Sequence, residues 1–147
     1  MQELNIKARK KSRKLALQAL YQWQLTHADL HHIQAQFLAH PDNSDIDTEY
    51  FKQLVMHVIN GVEKIDSTFV SYLDRDLAEI NPVELAVLRL GTYELISCPE
   101  IPYKVILNEA IELTKTFGAE ESYKYTNSIL DKVADSKRAL EKGKISK

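Results

Sequence analysis

The sequence predicts an all-α fold of about seven helices, and three observations support this. The 147 residues include only four Gly and four Pro, which favours long helices over a turn-rich β fold. Apolar residues recur with the 3.6-residue period of a helix along most of the chain. The Val and Ile residues follow this period rather than the alternation of strands, so no strand is expected.

The first half of the chain contains three helix patterns. Residues 8–26 form the first, with one apolar face made by Ala16, Ala19, Leu20 and Trp23. Residues 29–40 form a shorter second pattern, followed by a loop at 41–45. Asp47 is a suitable N-cap for the third helix, whose apolar face extends to Ile65.

The second half begins with a short helix that we expect Asp66 to cap and that ends near Leu73. Asn81-Pro82 is a strong helix start, with Glu84 at the position of a capping-box partner. The helix at 82–97 is apolar on most sides, so it should be buried, and Gly91 should permit a close helix crossing. Two more helices follow, one from Pro102 to Phe117, ended by Gly118, and one at about 119–139.

The loop at 41–45 and the segment at 74–81 divide the chain into two bundles of three or four helices. We therefore expect a single domain over 1–147, with subdomains at about 8–77 and 81–140. The terminal segments 1–7 and 141–147 are polar and are expected to be flexible.

The charge is distributed unevenly along the chain. Residues 1–14 hold six of the 19 Lys and Arg but only one of the 21 Asp and Glu, so a basic arm precedes an acidic body. Such an arm suggests an anionic partner. A solvated, frayed terminus is the alternative interpretation.

Enzymatic and metal chemistry find little support in the sequence. It contains no phosphate-binding glycine loop and no nucleophile elbow. Cys98 is the only cysteine and is expected to be an inert thiol in a reducing compartment. His27, His31 and His32 straddle a predicted helix break, which makes them poor metal ligands. We expect no enzyme activity, cofactor or metal. With no signal peptide and no apolar run near the roughly 20 residues of a membrane span, we expect a cytoplasmic protein.

Two groups of residues favour RNA binding. Lys10 and Lys14 share a helical stripe with Tyr21, and Tyr125 lies beside Lys124 on the outer side of the last helix. An exposed tyrosine next to a lysine is a candidate base-stacking platform. Two alternatives are that Tyr21 packs at the edge of the core and that Tyr125 is a surface residue without function.

The chain resembles the NusB family of bacterial transcription antitermination factors over most of residues 8–135. The stretches that carry the resemblance are the basic run into 19–24, then 87–95, 101–113, 117–120 and 127–132. The resemblance implies two three-helix bundles packed together. It also implies binding of the boxA element of nascent ribosomal RNA together with NusE, a small-subunit ribosomal protein. The pair would join the RNA polymerase antitermination complex and support processive ribosomal RNA transcription.

The resemblance also implies roles for individual residues. The RNA-binding residues would be Arg9, Lys10, Lys11, Arg13, Lys14, Lys124 and Tyr125. Tyr125 stands where the family usually has phenylalanine, and lysine replaces arginine at several basic positions, which keeps phosphate attraction but loses bidentate geometry. Tyr21 and Glu84 would contact NusE, and a homodimer that masks the RNA surface is a further implication.

Two other functions remain open from the sequence. One is a protein-interaction module without direct RNA binding, in which the basic arm meets an acidic protein. The other is an enzyme, because NusB-like domains also precede RNA methyltransferase domains, but the chain has no methyl-donor motif.

Overall fold

A computed structural model describes the backbone of residues 2–143 and the side chains of residues 6–143. Within these residues the structure has seven α-helices, three short 3-10 helices and no strand. The α-helices are α1 (Gln2–Thr26), α2 (Leu30–Ala39), α3 (Thr48–Asn60), α4 (Val62–Phe69), α5 (Pro82–Ser97), α6 (Tyr103–Phe117) and α7 (Ser122–Lys137). The predicted all-α fold of about seven helices is confirmed.

The N-terminal unit, residues 1–61, is built from α1, α2 and α3, each of which packs against the other two. Its core contains fully buried apolar side chains from all three helices, namely Ala16, Leu20, Ile33, Phe51, Leu54 and Val58. The helical backbone of α1 starts at Gln2, so it covers most of the segment that we expected to be a flexible arm.

Two side chains fix the start of α3. The predicted N-cap Asp47 is confirmed, since its carboxylate accepts a hydrogen bond from the Tyr50 backbone N–H at 3.1 Å. The buried Ser12 hydroxyl of α1 lies 2.8 Å from both the backbone N and the backbone O of Asp47. These contacts hold the cationic face of α1 beside the acidic segment at 42–47.

The predicted third helix is interrupted. The structure ends α3 at Asn60, places Gly61 at the C-cap and starts α4 at Val62. The prediction that Asp66 caps a helix is wrong, because Asp66 lies inside α4. Its carboxylate instead accepts two hydrogen bonds from Arg89 of α5, each 2.9 Å long.

The C-terminal unit, residues 62–147, is organised around α5, which packs against α4, α6 and α7. Ten residues of α5 are buried, as its continuous apolar character predicts. The predicted close crossing at Gly91 is confirmed, because a Cβ atom there would lie 2.9 Å from Leu130 of α7. Asn81 is the predicted N-cap and accepts from the Val83 backbone N–H at 2.9 Å.

The two units meet in the chain between Gly61 and Val62, earlier than the subdomain boundary expected near 77–81. The physical reason is that α4 packs on α5 and α7. At the other end, the Lys142 ammonium forms ion pairs with Asp131 at 2.7 Å and Asp135 at 2.6 Å, so residues 141–143 are tied to α7. The rest of the expected flexible tail, residues 144–147, lies outside the described residues.

No helix in the part of the chain that the structure describes is both long enough and apolar enough to cross a membrane.

Candidate nucleic-acid interface

Three of the predicted RNA-binding residues on α1 are exposed lysines. Lys10, Lys11 and Lys14 all lie on the solvent side of α1. Lys11 forms an ion pair with Asp45, in which both side chains are about half exposed. Solvent screens an exposed pair of this kind, so it is weak and a phosphate can replace the carboxylate at low cost.

A pocket of about 280 Å³ lies beside these lysines. Lys11, Lys14 and Gln18 of α1 form one wall, and the segment at 42–46 forms the other. Asp42 and Asp45 bring negative charge to that second wall, so the pocket itself has mixed charge. The lysines, and not the pocket, offer net positive charge to a ligand.

The two arginines of the segment are placed differently. The Arg13 side chain is buried, with only 5% of the residue exposed, and its guanidinium carbon lies 5.7 Å from the centroid of the Tyr50 ring. Arg9 is partly exposed, and its guanidinium carbon lies 4.5 Å from the same ring centroid, with Asp47 at 3.8 Å. We predicted that both contact RNA, but burial keeps Arg13 off the exposed face of α1.

Tyr21 lies on α1 two turns beyond Lys14 and is 38% exposed. Its ring therefore belongs to the surface of the N-terminal unit rather than to its core. The buried Leu17 separates it from the lysines along the predicted stripe.

Tyr125 lies in the C-terminal unit and is partly buried by a segment that precedes α5. Its hydroxyl donates a hydrogen bond to Asp74 at 3.0 Å, and the Arg75 guanidinium carbon lies 4.4 Å from the centroid of its ring. Burial and the hydrogen bond to Asp74 raise the pKa of Tyr125. One face of the expected stacking platform is thus covered by a cation.

Lys124 is exposed on the first turn of α7 and pairs with Glu121 at 2.5 Å. Glu121 occupies the N-cap with a φ of +73°, which is unusual for a residue with a side chain. The turn at 119–121 delays the start of α7 to Ser122, three residues later than predicted.

Glu84 is a buried carboxylate, with 9% of the residue exposed. It was predicted to complete a capping box, but Asn81 alone caps α5 through its side chain, and Glu84 hydrogen-bonds with Ser122 of α7. Burial raises the pKa of Glu84, while the nearby Arg75 and the Ser122 hydrogen bond act in the opposite direction.

Comparison with known proteins identifies the family. The NusB family model matches residues 10–135 of the chain. The chain belongs to the NusB family.

Individual relatives support this assignment. A transcription antitermination protein NusB from Legionella pneumophila (strain Corby) is 45% identical over 141 residues, which cover 96% of each chain. Another, from Alcanivorax borkumensis, is 49% identical over 134 residues, covering 91% of this chain and 89% of the relative. The predicted family is therefore confirmed, and with it a role in transcription antitermination rather than in an enzymatic reaction.

Solved structures of the family have the same fold. T. maritima NusB superposes with a TM-score of 0.77 at 30% identity, covering 90% of this chain and 97% of that one. A crystal structure of antitermination factors NusB and NusE in complex with double-stranded RNA gives a TM-score of 0.78 at 25% identity. That match covers 88% of this chain and 98% of the other.

The predicted residues are divided between the two units. Arg9, Lys10, Lys11, Arg13, Lys14 and Tyr21 lie in the N-terminal unit, whereas Glu84, Lys124 and Tyr125 lie in the C-terminal unit. Asp74 and Arg75 were not predicted as site residues. Their only sequence signal is an adjacent pair of opposite charges in a segment between helices, which does not reveal the contact with Tyr125.

The remaining candidates from the sequence are the possible metal ligands and Cys98. Residues 6–143 contain no group of three or more His, Cys, Asp or Glu side chains arranged to hold a metal ion. Cys98 is a buried thiol at the C-terminal end of α5.

Proposed function

We propose that the chain is an RNA-binding transcription antitermination factor that binds boxA of nascent ribosomal RNA together with NusE. It would thereby support processive ribosomal RNA transcription as part of the RNA polymerase antitermination complex. The observation that carries the proposal is the row of exposed lysines on α1, in a chain that is similar to a NusB solved with NusE and RNA.

In this proposal Lys10, Lys11 and Lys14 contact RNA phosphates. Phosphate contacts release condensed counterions, so they determine both the affinity and its dependence on salt. Arg9 would contribute from the edge of the same face. Arg13 would act indirectly, because its buried guanidinium lies near Tyr50 and supports the packing of α1 on α3.

The second part of the RNA surface is proposed to be Tyr125 with Lys124. Tyr125 would stack on an unpaired base. Lys124 would leave its ion pair with Glu121 and bind the phosphate next to that base. Stacking of one base on an aromatic side chain contributes roughly 1–3 kcal/mol.

NusE is proposed to bind through Tyr21 and Glu84. Tyr21 offers an amphipathic ring at the surface. Only 9% of Glu84 is exposed, so its contact with a basic ribosomal protein would be limited to the edge of the carboxylate. The excess of Asp and Glu over Lys and Arg outside residues 1–14 would favour such a basic partner. A homodimer that masks the RNA surface and a cytoplasmic location are further parts of the proposal.

The test is a titration of fluorescently labelled single-stranded boxA RNA with the full chain, with NusE, and with both. We expect binding by the chain alone and tighter binding by the pair, while an RNA of the same length and scrambled sequence binds more weakly. Absence of RNA binding under all three conditions would contradict the proposal and favour an interaction module without direct RNA contact.

A further inference from the structure

The side chains around Tyr125 form a compact three-residue cluster. Arg75 donates from Nε to Asp74 Oδ1 at 2.8 Å and from Nη2 to Asp74 Oδ2 at 3.4 Å. Tyr125 donates from its hydroxyl to the same Oδ1 at 3.0 Å. Asp74 therefore holds both the guanidinium and the ring, although residue 125 lies 51 positions further along the chain.

The Arg75 guanidinium is placed over the ring and not only beside the carboxylate. Its central carbon lies 4.4 Å from the ring centroid, within the range of a cation–π contact. The Arg75 side chain nevertheless remains 42% exposed. A base approaching from that side would meet the guanidinium before it meets the ring.

A guanidinium is planar and carries five N–H donors, so it can stack on a base and also hydrogen-bond to RNA. Lysine has the same charge but no plane to stack. The neighbouring Asp74 carboxylate cancels most of the charge of Arg75 at a distance. The affinity for RNA should thus depend more on the shape and orientation of the Arg75 guanidinium than on its net charge.

We propose that Arg75 is an RNA-binding residue, and that its guanidinium extends the Tyr125 ring into a composite surface that stacks on an unpaired base of single-stranded RNA. Asp74 is a positioning residue, because it orients both groups and need not touch the RNA. This inference rests on the proposed function, since it assigns a contact within the same RNA surface.

The experiment compares Arg75→Lys and Arg75→Gln with the wild-type chain in boxA RNA binding, with NusE present. Lys137→Gln, an exposed lysine 12 residues beyond Tyr125 on α7, is the matched control for the loss of one positive charge. We expect Arg75→Lys to weaken binding by about fivefold or more, as the loss of one stacked base predicts, with the salt slope nearly unchanged. Arg75→Gln should weaken binding further, because it leaves the negative charge of Asp74 near the RNA without a neighbouring cation. Lys137→Gln should stay within about twofold of wild type.

A set of RNAs, each with one abasic nucleotide, locates the contact. At one position the abasic RNA should bind the wild-type chain more weakly, and Arg75→Lys should cause no additional loss with that RNA. A purely structural effect of the substitution would instead persist with every RNA in the set.

Three results would overturn the inference while leaving the proposed function intact. Arg75→Lys could bind like wild type while Arg75→Gln is weak, which would assign Arg75 to a charge contact. Both variants could bind like wild type. Alternatively, both variants could bind every abasic RNA more weakly than wild type by the same factor in affinity. Failure of the wild-type chain to bind RNA at all, with or without NusE, would instead overturn the proposed function itself.

Discussion

Arg13 and Lys14 are neighbours in the sequence, but the structure gives them different environments. Lys14 is exposed, whereas only 5% of Arg13 is exposed. The helical period contains the signal, because Arg13 precedes the buried Ala16, Leu17 and Leu20 by three, four and seven residues and so lies on their face. The prediction that Arg13 contacts RNA came from the family resemblance, which treats the basic residues of the segment alike and does not separate the buried Arg13 from the exposed Lys14.

Arg13→Ala should therefore destabilise the fold, by about 2 kcal/mol, because it removes a packed side chain and its contact with Tyr50. Lys14→Gln, the exposed neighbour, should change the free energy of unfolding by less than about 0.5 kcal/mol. Urea unfolding followed by circular dichroism measures both. Equal stability of the two variants would argue against a structural role for Arg13.

Glu84→Gln should raise stability at neutral pH. Burial raises the pKa of Glu84 in the folded state, so the ionised carboxylate costs stability above that pKa, and the cost disappears as the pH falls below the unfolded-state pKa. The thermal midpoint of the variant should exceed that of wild type at pH 7, and the difference should vanish in acid. A higher wild-type midpoint at pH 7 would show that the ionised form is stabilising. Retaining a carboxylate at a cost in stability agrees with the proposed use of Glu84 toward NusE.

At the scale of helices, the ends of the elements were harder to predict than their existence. The helix at 82–97 and its cap Asn81 were predicted correctly, because Asn-Pro and an apolar pattern specify them locally. The break at Gly61 was missed, because the apolar period continues through it from Phe51 to Ile65. Asp66 resembled a cap in the sequence, and only the tertiary pairing with Arg89 shows its actual role.

The crossing of α5 and α7 depends on Gly91. Gly91→Ala should destabilise the protein by about 1–3 kcal/mol, because the new methyl group would overlap Leu130 within a buried contact, despite the better helix propensity of alanine. Chemical denaturation of Gly91→Ala, Leu130→Ala and the double variant measures the coupling. The double variant should lose less stability than the sum of the single losses. Simple additivity would contradict the overlap.

The C-terminal end of α5 is capped by a distant side chain. The Arg138 guanidinium donates to the carbonyl oxygens of Leu95 at 2.8 Å, Cys98 at 2.9 Å and Ile101 at 2.9 Å, and it pairs with Glu141 at 2.6 Å. Arg138→Met should cost about 3 kcal/mol, because buried carbonyl groups lose their charged donor. Lys137→Gln, the exposed neighbour, should be close to neutral. A loss below about 1 kcal/mol for Arg138→Met, measured by thermal unfolding, would show that water replaces the guanidinium at little cost.

At the scale of the whole molecule, the uneven charge distribution was visible from composition, but the pairing of charges was not. The sequence predicts a basic arm on an acidic body. The structure adds that Asp45 engages Lys11, and that Asp74 and Arg75 accompany Tyr125. These contacts join residues far apart in the chain, and no local pattern specifies them. Local periodicity therefore predicts most of the fold, whereas the composition of the candidate site depends on tertiary contacts.

The central claim is that the exposed lysines of α1 bind RNA phosphates, and the salt dependence of RNA binding tests it most directly. The affinity for single-stranded boxA RNA, with NusE present, is measured over a range of salt concentrations for wild type and for the Lys10→Gln/Lys11→Gln/Lys14→Gln variant. The matched control is Lys52→Gln/Lys64→Gln/Lys104→Gln, three exposed lysines outside α1. Since each contact with single-stranded RNA contributes about 0.7 to the slope of log affinity against log salt, the slope should fall by up to about 2 in the α1 variant and remain unchanged in the control. An α1 variant with the wild-type affinity and slope would contradict the claim.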